Sequence, residues 1–125
     1  MNNSYKWAGG GFLSTPTDLV RFGNGLLQNA WLTEDIRDQL WQPQALADGA
    51  DNPQNYALGF RVGTADGRRV VNHGGDSVGG ASFLLIFPEE QVVVAYATNS
   101  TAMTVMRNLR AETFEIAAWF MPGAT

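Results

Sequence analysis

At 125 residues, 45% apolar and only 16% charged, the chain has the composition of a folded domain and not of a disordered segment. Eight basic against twelve acidic residues leave a net charge of −4 with no basic stripe to displace counterions, so nucleic acid and anionic membrane surfaces are set aside as partners. With no cysteine and one histidine, disulfides, thiolate chemistry and a zinc site fall away, and neither metal nor cofactor is expected.

The opening MNNSYKWAGGG has neither the basic start nor the apolar core of a signal peptide, and it reads like the interior of a longer protein. No apolar run reaches the roughly 18–20 residues of a membrane span. The first helix signal follows: Ser14 or Thr15 can cap, Pro16 suits the first position and Asp18 sits in the first turn. Leu19, Phe22 and Leu26 recur at helical spacing, with Leu27 beside them. Gly23 and Gly25 either permit close packing or end this helix early. A second helix starts after Thr33, carries Glu34 and Asp35 at its positive end, turns Ile36 and Leu40 inward and stops by Pro43. ALADGADNPQN is then a polar loop.

From Tyr56 the period changes. YALGFRVG reads as a strand, Asp66-Gly67 as a hairpin turn and RVVNH as the returning strand. ASFLLIF and QVVVAYATN are two more strands joined at PEE. Each is apolar on both faces, which asks for a covering layer on each side. STAMTVMRNLRAETFEIAAWF reads as a long C-terminal helix, with Met103, Met106, Leu109, Ile116 and Phe120 as its buried stripe and Arg107 and Arg110 on its solvated face. Trp7, Trp31, Trp41 and Trp119 are packing residues. The expected architecture is α+β: a single domain over residues 1–125, with an antiparallel sheet of three to four strands flanked by helices.

The one histidine, His73, opens the run HGGDSVGG. Taken alone it fits a solvent-facing turn, with Asp76 and Ser77 bonding local backbone groups. In context it fits more. AGGGFLSTPTDLVRFGNGLL, then YALGFRV, then HGGDSVGGASFLLIFPEEQVVVAYATNS resemble the C-terminal part of the serine β-lactamase-like family, the group of penicillin-binding proteins, class C β-lactamases and esterases. The three segments stand in the family's order and extend from about Trp7 to Phe120.

The resemblance implies a site built from a Ser-x-x-Lys motif, a Tyr-x-Asn or Ser-x-Asn motif and a third motif, Lys-Thr-Gly or His-x-Gly, on a strand at the site's edge. It makes His73, Gly74 and Gly75 the third motif and gives the Asp76 backbone N–H a place in an oxyanion hole. Gly79 matches a glycine a few residues further on. The chemistry is compatible: acyl transfer needs N–H donors aimed at a developing oxyanion, and glycines let a substrate lie close to the backbone.

The nucleophile is another matter. Lys6 is the one lysine, and Asn3 precedes it by three residues. None of Ser4, Ser14, Ser77, Ser82 and Ser100 has lysine three residues on, and none of Tyr5, Tyr56 and Tyr96 has asparagine two residues on. A serine hydroxyl without an adjacent base is a poor nucleophile. Ser77, four residues from His73, is the one local substitute. The sequence therefore reads as a partial hydrolase, one wall of an acyl-transfer site for β-lactams, stem peptides or small esters. A non-catalytic binding or assembly module and one half of a split enzyme are the alternatives. Partners expected are a second copy of the chain, a complementing N-terminal half, or a small acyl substrate. Complete relatives are often periplasmic or secreted, but the compartment of this chain is left open.

Overall fold

The structure, a computed structural model, describes residues 11–77, 79–100 and 103–122, with the side chains of Ser77 and of residues 103–107 not included. Trp7, and the side chains of Ser77, Met103, Met106 and Arg107, to which roles were given above, lie outside the described residues, as does Lys6.

Helix α1 (Pro16–Leu27) starts as its sequence dictates. Thr15 Oγ1 accepts from the Asp18 N–H at 3.1 Å and Pro16 follows the cap. The helix does not end early at its glycines. A Cβ on Gly23 would come within 2.6 Å of Val93 Cγ1, and one on Gly25 within 2.3 Å of the Trp31 ring. Both glycines exist to let neighbours in. Helix α2 (Glu34–Leu40) follows Thr33, which caps it without a side-chain bond.

Four strands make one antiparallel sheet in the order β1-β2-β3-β4: β1 (Arg61–Ala65), β2 (Arg68–Ser77), β3 (Gly80–Phe87) and β4 (Val92–Thr98). Asp66 and Gly67 join β1 to β2 with φ of 50° and 76°, the two positive values that a type I′ hairpin turn requires. Helix α3 (Met103–Ala118) closes the described chain.

The sheet is a middle layer, as its doubly apolar strands demand. Phe83, Leu85 and Phe87 of β3 face α3 and pack with Val70, Val94, Leu109 and Ala117. Leu84 and Ile86 face the other way and pack with Leu26, Leu27, Trp41, Phe60 and Val71. The strand period of two thus feeds two separate cores. On α3, Phe114 meets Phe83 and Phe87 ring to ring at 6.4 and 6.2 Å. Buried Thr113 returns its hydroxyl to the Leu109 carbonyl at 2.7 Å. The Tyr96 hydroxyl donates to Glu112, which ties α3 to β4 and holds the phenol above its ordinary range.

Several expectations need correcting. The strand foreseen from Tyr56 begins only at Arg61, because Gly59 adopts φ 85° and the Ala57 N–H bonds the Phe60 carbonyl at 2.7 Å. Residues 57–60 are a turn. Ile36 is exposed and α2 buries none of its residues. The packing there falls to Trp41, just past the helix and 1% exposed, with the Arg37 and Arg69 guanidinium groups 5.3 and 5.7 Å from its ring. Phe22 is exposed and stacks on Trp31 at 5.9 Å instead of entering the core. Trp119 and Phe120 lie past the end of α3 and face solvent.

Leu85 is fully buried between sheet and helix. Leu85→Ala is expected to cost about 2–5 kcal/mol by the ordinary loss from a core leucine. Urea unfolding followed by circular dichroism measures it. A cost within about 0.5 kcal/mol, the range of most surface changes, would contradict the two-core account.

Candidate active site wall

His73, Gly74, Gly75 and Asp76 lie on strand β2 and not in the solvent-facing turn that His73 fits when taken alone. They pair in register with Leu84, Phe83, Ser82 and Ala81 of β3. Strand alternation sorts their side chains. His73 and Gly75 share the face of Val71 and Leu84, while Gly74 and Asp76 share the face of Val70 and Phe83. The two glycines consequently do different things. A Cβ on Gly74 would meet Phe83 Cδ2 at 2.5 Å, so Gly74 makes room for a core phenylalanine. Among the described residues, a Cβ on Gly75 would meet nothing within 4 Å. Gly75 has open space above it.

The other side of β2 is where the backbone becomes available. Strand β1 pairs with Arg68 through Asn72 and goes no further, its last partners being Arg61 and Asn72. A two-residue turn closes on a hydrogen-bonded pair, here Ala65 and Arg68, and alternation makes Gly63↔Val70 and Arg61↔Asn72 hydrogen-bonded too. The backbone groups of even-numbered β2 residues therefore aim toward β1. The Val62 N–H has the opposite parity. It turns away from β2 and donates to the Asn55 carbonyl at 3.1 Å, as this geometry requires. Gly74 and Asp76 share the parity of Asn72 but lie beyond Arg61. Their N–H and C=O groups point at an edge that no strand of the described residues occupies.

His73 is held at the start of this edge. Its Nε2 lies 2.8 Å from the Tyr56 hydroxyl, and the two rings meet edge-on at 5.8 Å. Tyr56 is fixed in turn by its bridge to Arg61, by the Gln44 N–H that bonds its carbonyl at 2.9 Å, and by the Arg61 guanidinium 5.6 Å from its ring. Partial burial, and then the charge of Arg61, hold the His73 imidazole below its ordinary pKa. Tyr56 has no asparagine two residues on and so carries no catalytic motif in the sequence. The signal that could have found it is its place opposite the histidine strand.

The proton relay from His73 to Ser77 does not survive this geometry. Four residues of extended strand separate their Cα atoms by roughly 13 Å, too far for one side chain to take the other's proton. Among the described residues no group of three or more His, Cys, Asp or Glu side chains gathers to hold a metal ion. No helix among them is long and apolar enough to cross a membrane. A cavity of about 660 Å³ lies on the α3 side of β1, lined by Gln54, Arg61, Thr64, Asn72, Arg110 and Phe114 among others. It includes none of His73, Gly74, Gly75 or Asp76.

The sequence matches the family model for Beta-lactamase over residues 1–118. Curated relatives include the serine beta-lactamase-like protein LACTB, mitochondrial, of Bos taurus and of Homo sapiens, at 35% and 34% identity over 114 aligned residues. These matches cover 72% of this chain but 20% and 21% of the relatives. The chain thus spans about a fifth of the length of the curated relatives it matches.

Gly74→Ala is expected to cost about 1–3 kcal/mol through Phe83, whereas Gly75→Ala stays within about 0.5 kcal/mol of the parent. Chemical denaturation of the two variants side by side checks the asymmetry. A pH effect follows from His73 as well. On acidification the unfolded chain takes up its histidine proton first, near about pH 6.5, while the folded chain still resists. Stability should fall as pH drops through that value, until folded His73 protonates too. The slope between about pH 7 and pH 6 should flatten in His73→Gln. An unchanged slope would show that another group sets it.

Proposed function

The chain belongs to the Beta-lactamase family, and from that premise we propose that it forms one wall of a serine hydrolase active site, the wall that receives the acyl group. The observation that carries this reading is the edge of β2 beyond Arg61. It offers backbone donors at Gly74 and Asp76, open space over Gly75 and one imidazole at its start, all within a few residues.

The reaction that suits this edge is acyl transfer. An extended acyl substrate lies alongside β2 and takes main-chain hydrogen bonds as an added strand would. Its carbonyl oxygen gains charge as a nucleophile attacks. The Asp76 N–H donates to that oxygen, and one such donor is worth roughly 2.7–4 kcal/mol in a transition state. Gly75 keeps the substrate face clear. His73 lies where a polar group can orient the substrate or a leaving group. The substrate class is an activated or small acyl compound: a β-lactam, a stem peptide or an ester.

The nucleophile and its base come from protein outside these 125 residues, since none of the five serines here has a lysine three residues on. On this reading the chain alone does not turn over substrate, and a segment carrying Ser-x-x-Lys completes it. A non-catalytic binding module would use the same edge for the same ligands without that completion.

The deciding assay follows hydrolysis of a chromogenic β-lactam and a p-nitrophenyl ester by the chain alone and with an N-terminal segment of a complete relative. Turnover is expected only in the mixture. Turnover by the chain alone would overturn the division of labour, and none in either case would favour the binding module. In the active mixture, Asp76→Pro removes an N–H that the sheet does not use. It should preserve the fold and lower kcat by about 10²–10³. Undiminished kcat in a folded Asp76→Pro would overturn the oxyanion role of that N–H.

A further inference from the structure

We infer that Tyr56 is a positioning residue that fixes His73 as the neutral tautomer protonated on Nδ1, so that His73 meets an acyl substrate as a fixed hydrogen-bond donor and not as a cation. The inference deepens the hydrolase reading and rests on it for the word substrate, but not for the tautomer.

The argument starts from the contact itself. The Tyr56 oxygen and His73 Nε2 are 2.8 Å apart. Either the phenol donates to the bare nitrogen, or an Nε2–H donates to the phenol. A phenol is far more acidic than a neutral imidazole N–H, so it is the better donor, and the imidazole nitrogen is the better acceptor. The favoured bond runs from Tyr56 O–H to Nε2. Nε2 then carries no proton, and a neutral ring must carry its one proton on Nδ1.

Tyr56 is placed to impose this. Its main chain is held on both sides, by the bridge to Arg61 and by the Gln44 N–H. Its ring has the Arg61 guanidinium 5.6 Å from its centroid and the His73 ring edge-on at 5.8 Å. The hydroxyl thus comes from a side chain with little freedom to turn away. Tyr56 from just before the turn and Arg61 from β1 are the titratable and charged groups facing His73 among the described residues. Arg61 acts in the same direction, since its positive charge opposes a second proton on the ring. The ring nitrogen left for a ligand is Nδ1, and it can only donate.

The test needs no substrate. The chain has one histidine, so a uniformly ¹⁵N-labelled sample gives one set of long-range ¹H–¹⁵N imidazole correlations. Their pattern tells which nitrogen bears the proton. At a pH well above the titration, the pattern of Nδ1–H is expected. In Tyr56→Phe it should change to the Nε2–H pattern common in unconstrained histidine, and the titration midpoint should rise as the neutral ring loses its donor. Arg61→Gln should raise the midpoint and leave the tautomer unchanged.

An Nε2–H pattern in the parent chain overturns the inference. So does a Tyr56→Phe variant, folded by its backbone amide spectrum, that leaves both tautomer and midpoint unchanged. If Tyr56→Phe does not fold, the parent pattern still decides. Failure here leaves the hydrolase reading standing, because that reading is decided by turnover in the completed mixture and by Asp76→Pro.

Discussion

Strand β3 carries the architecture. Its residues alternate between two cores, Phe83, Leu85 and Phe87 toward α3 and Leu84 and Ile86 toward α1 and Trp41. Burying one such side chain is worth about 1.5–3 kcal/mol, and β3 does so on both faces for most of its length. Helix α3 covers one face and α1, with Trp41, covers the other, and the outer strands extend from β3 on either side. The paired strand β2 inherits its register from this one element. A slip of one residue would send Leu85 and Ile86 to each other's cores and would exchange the faces of His73 and Gly74.

Because the register is fixed, small differences along β2 become chemical differences. Gly74 and Gly75 look equivalent in the sequence. One is consumed by the core because Phe83 stands opposite it, and the other looks onto open space. The same alternation decides which amides belong to the ladder and which face the free edge. His73 shares the face of Gly75 and is tied by Tyr56 before any ligand arrives. On the proposed reading the site is mostly prearranged by backbone, which is the form of electrostatic stabilisation that needs least reorganisation.

Much of the fold was legible because its signals are local. The cap at Thr15 and Pro16, the Asp66-Gly67 turn and the doubly apolar β3 and β4 each state their role within a few residues. What was missed depends on distance. Ile36 has the spacing of an inward residue, but α2 is short and Trp41 beyond its end takes the buried position. Phe22 has helical spacing too, and Trp31 across a loop draws it outward. The YALGFRVG run has strand composition, and the positive φ of Gly59 breaks it. At the candidate site, the run from His73 to Asp76 is proposed from its own residues and from the family pattern. Tyr56 was not legible, since its partner is seventeen positions away and the pair exists only once the hairpin closes.

The turn over residues 57–60 has a further consequence. Extending the β1–β2 register past Arg61↔Asn72 would lay Phe60 opposite His73, Gly59 opposite Gly74 and Ala57 opposite Asp76. The chain preceding β1 is thus a tethered competitor for the very edge a ligand would use, held off by one left-handed glycine and the short bond from Ala57 to Phe60. At the high local concentration that a covalent tether confers, zipping of those few residues would compete directly with a dissolved ligand. Among the described residues, the openness of this edge thus rests on a single backbone reversal just upstream of β1.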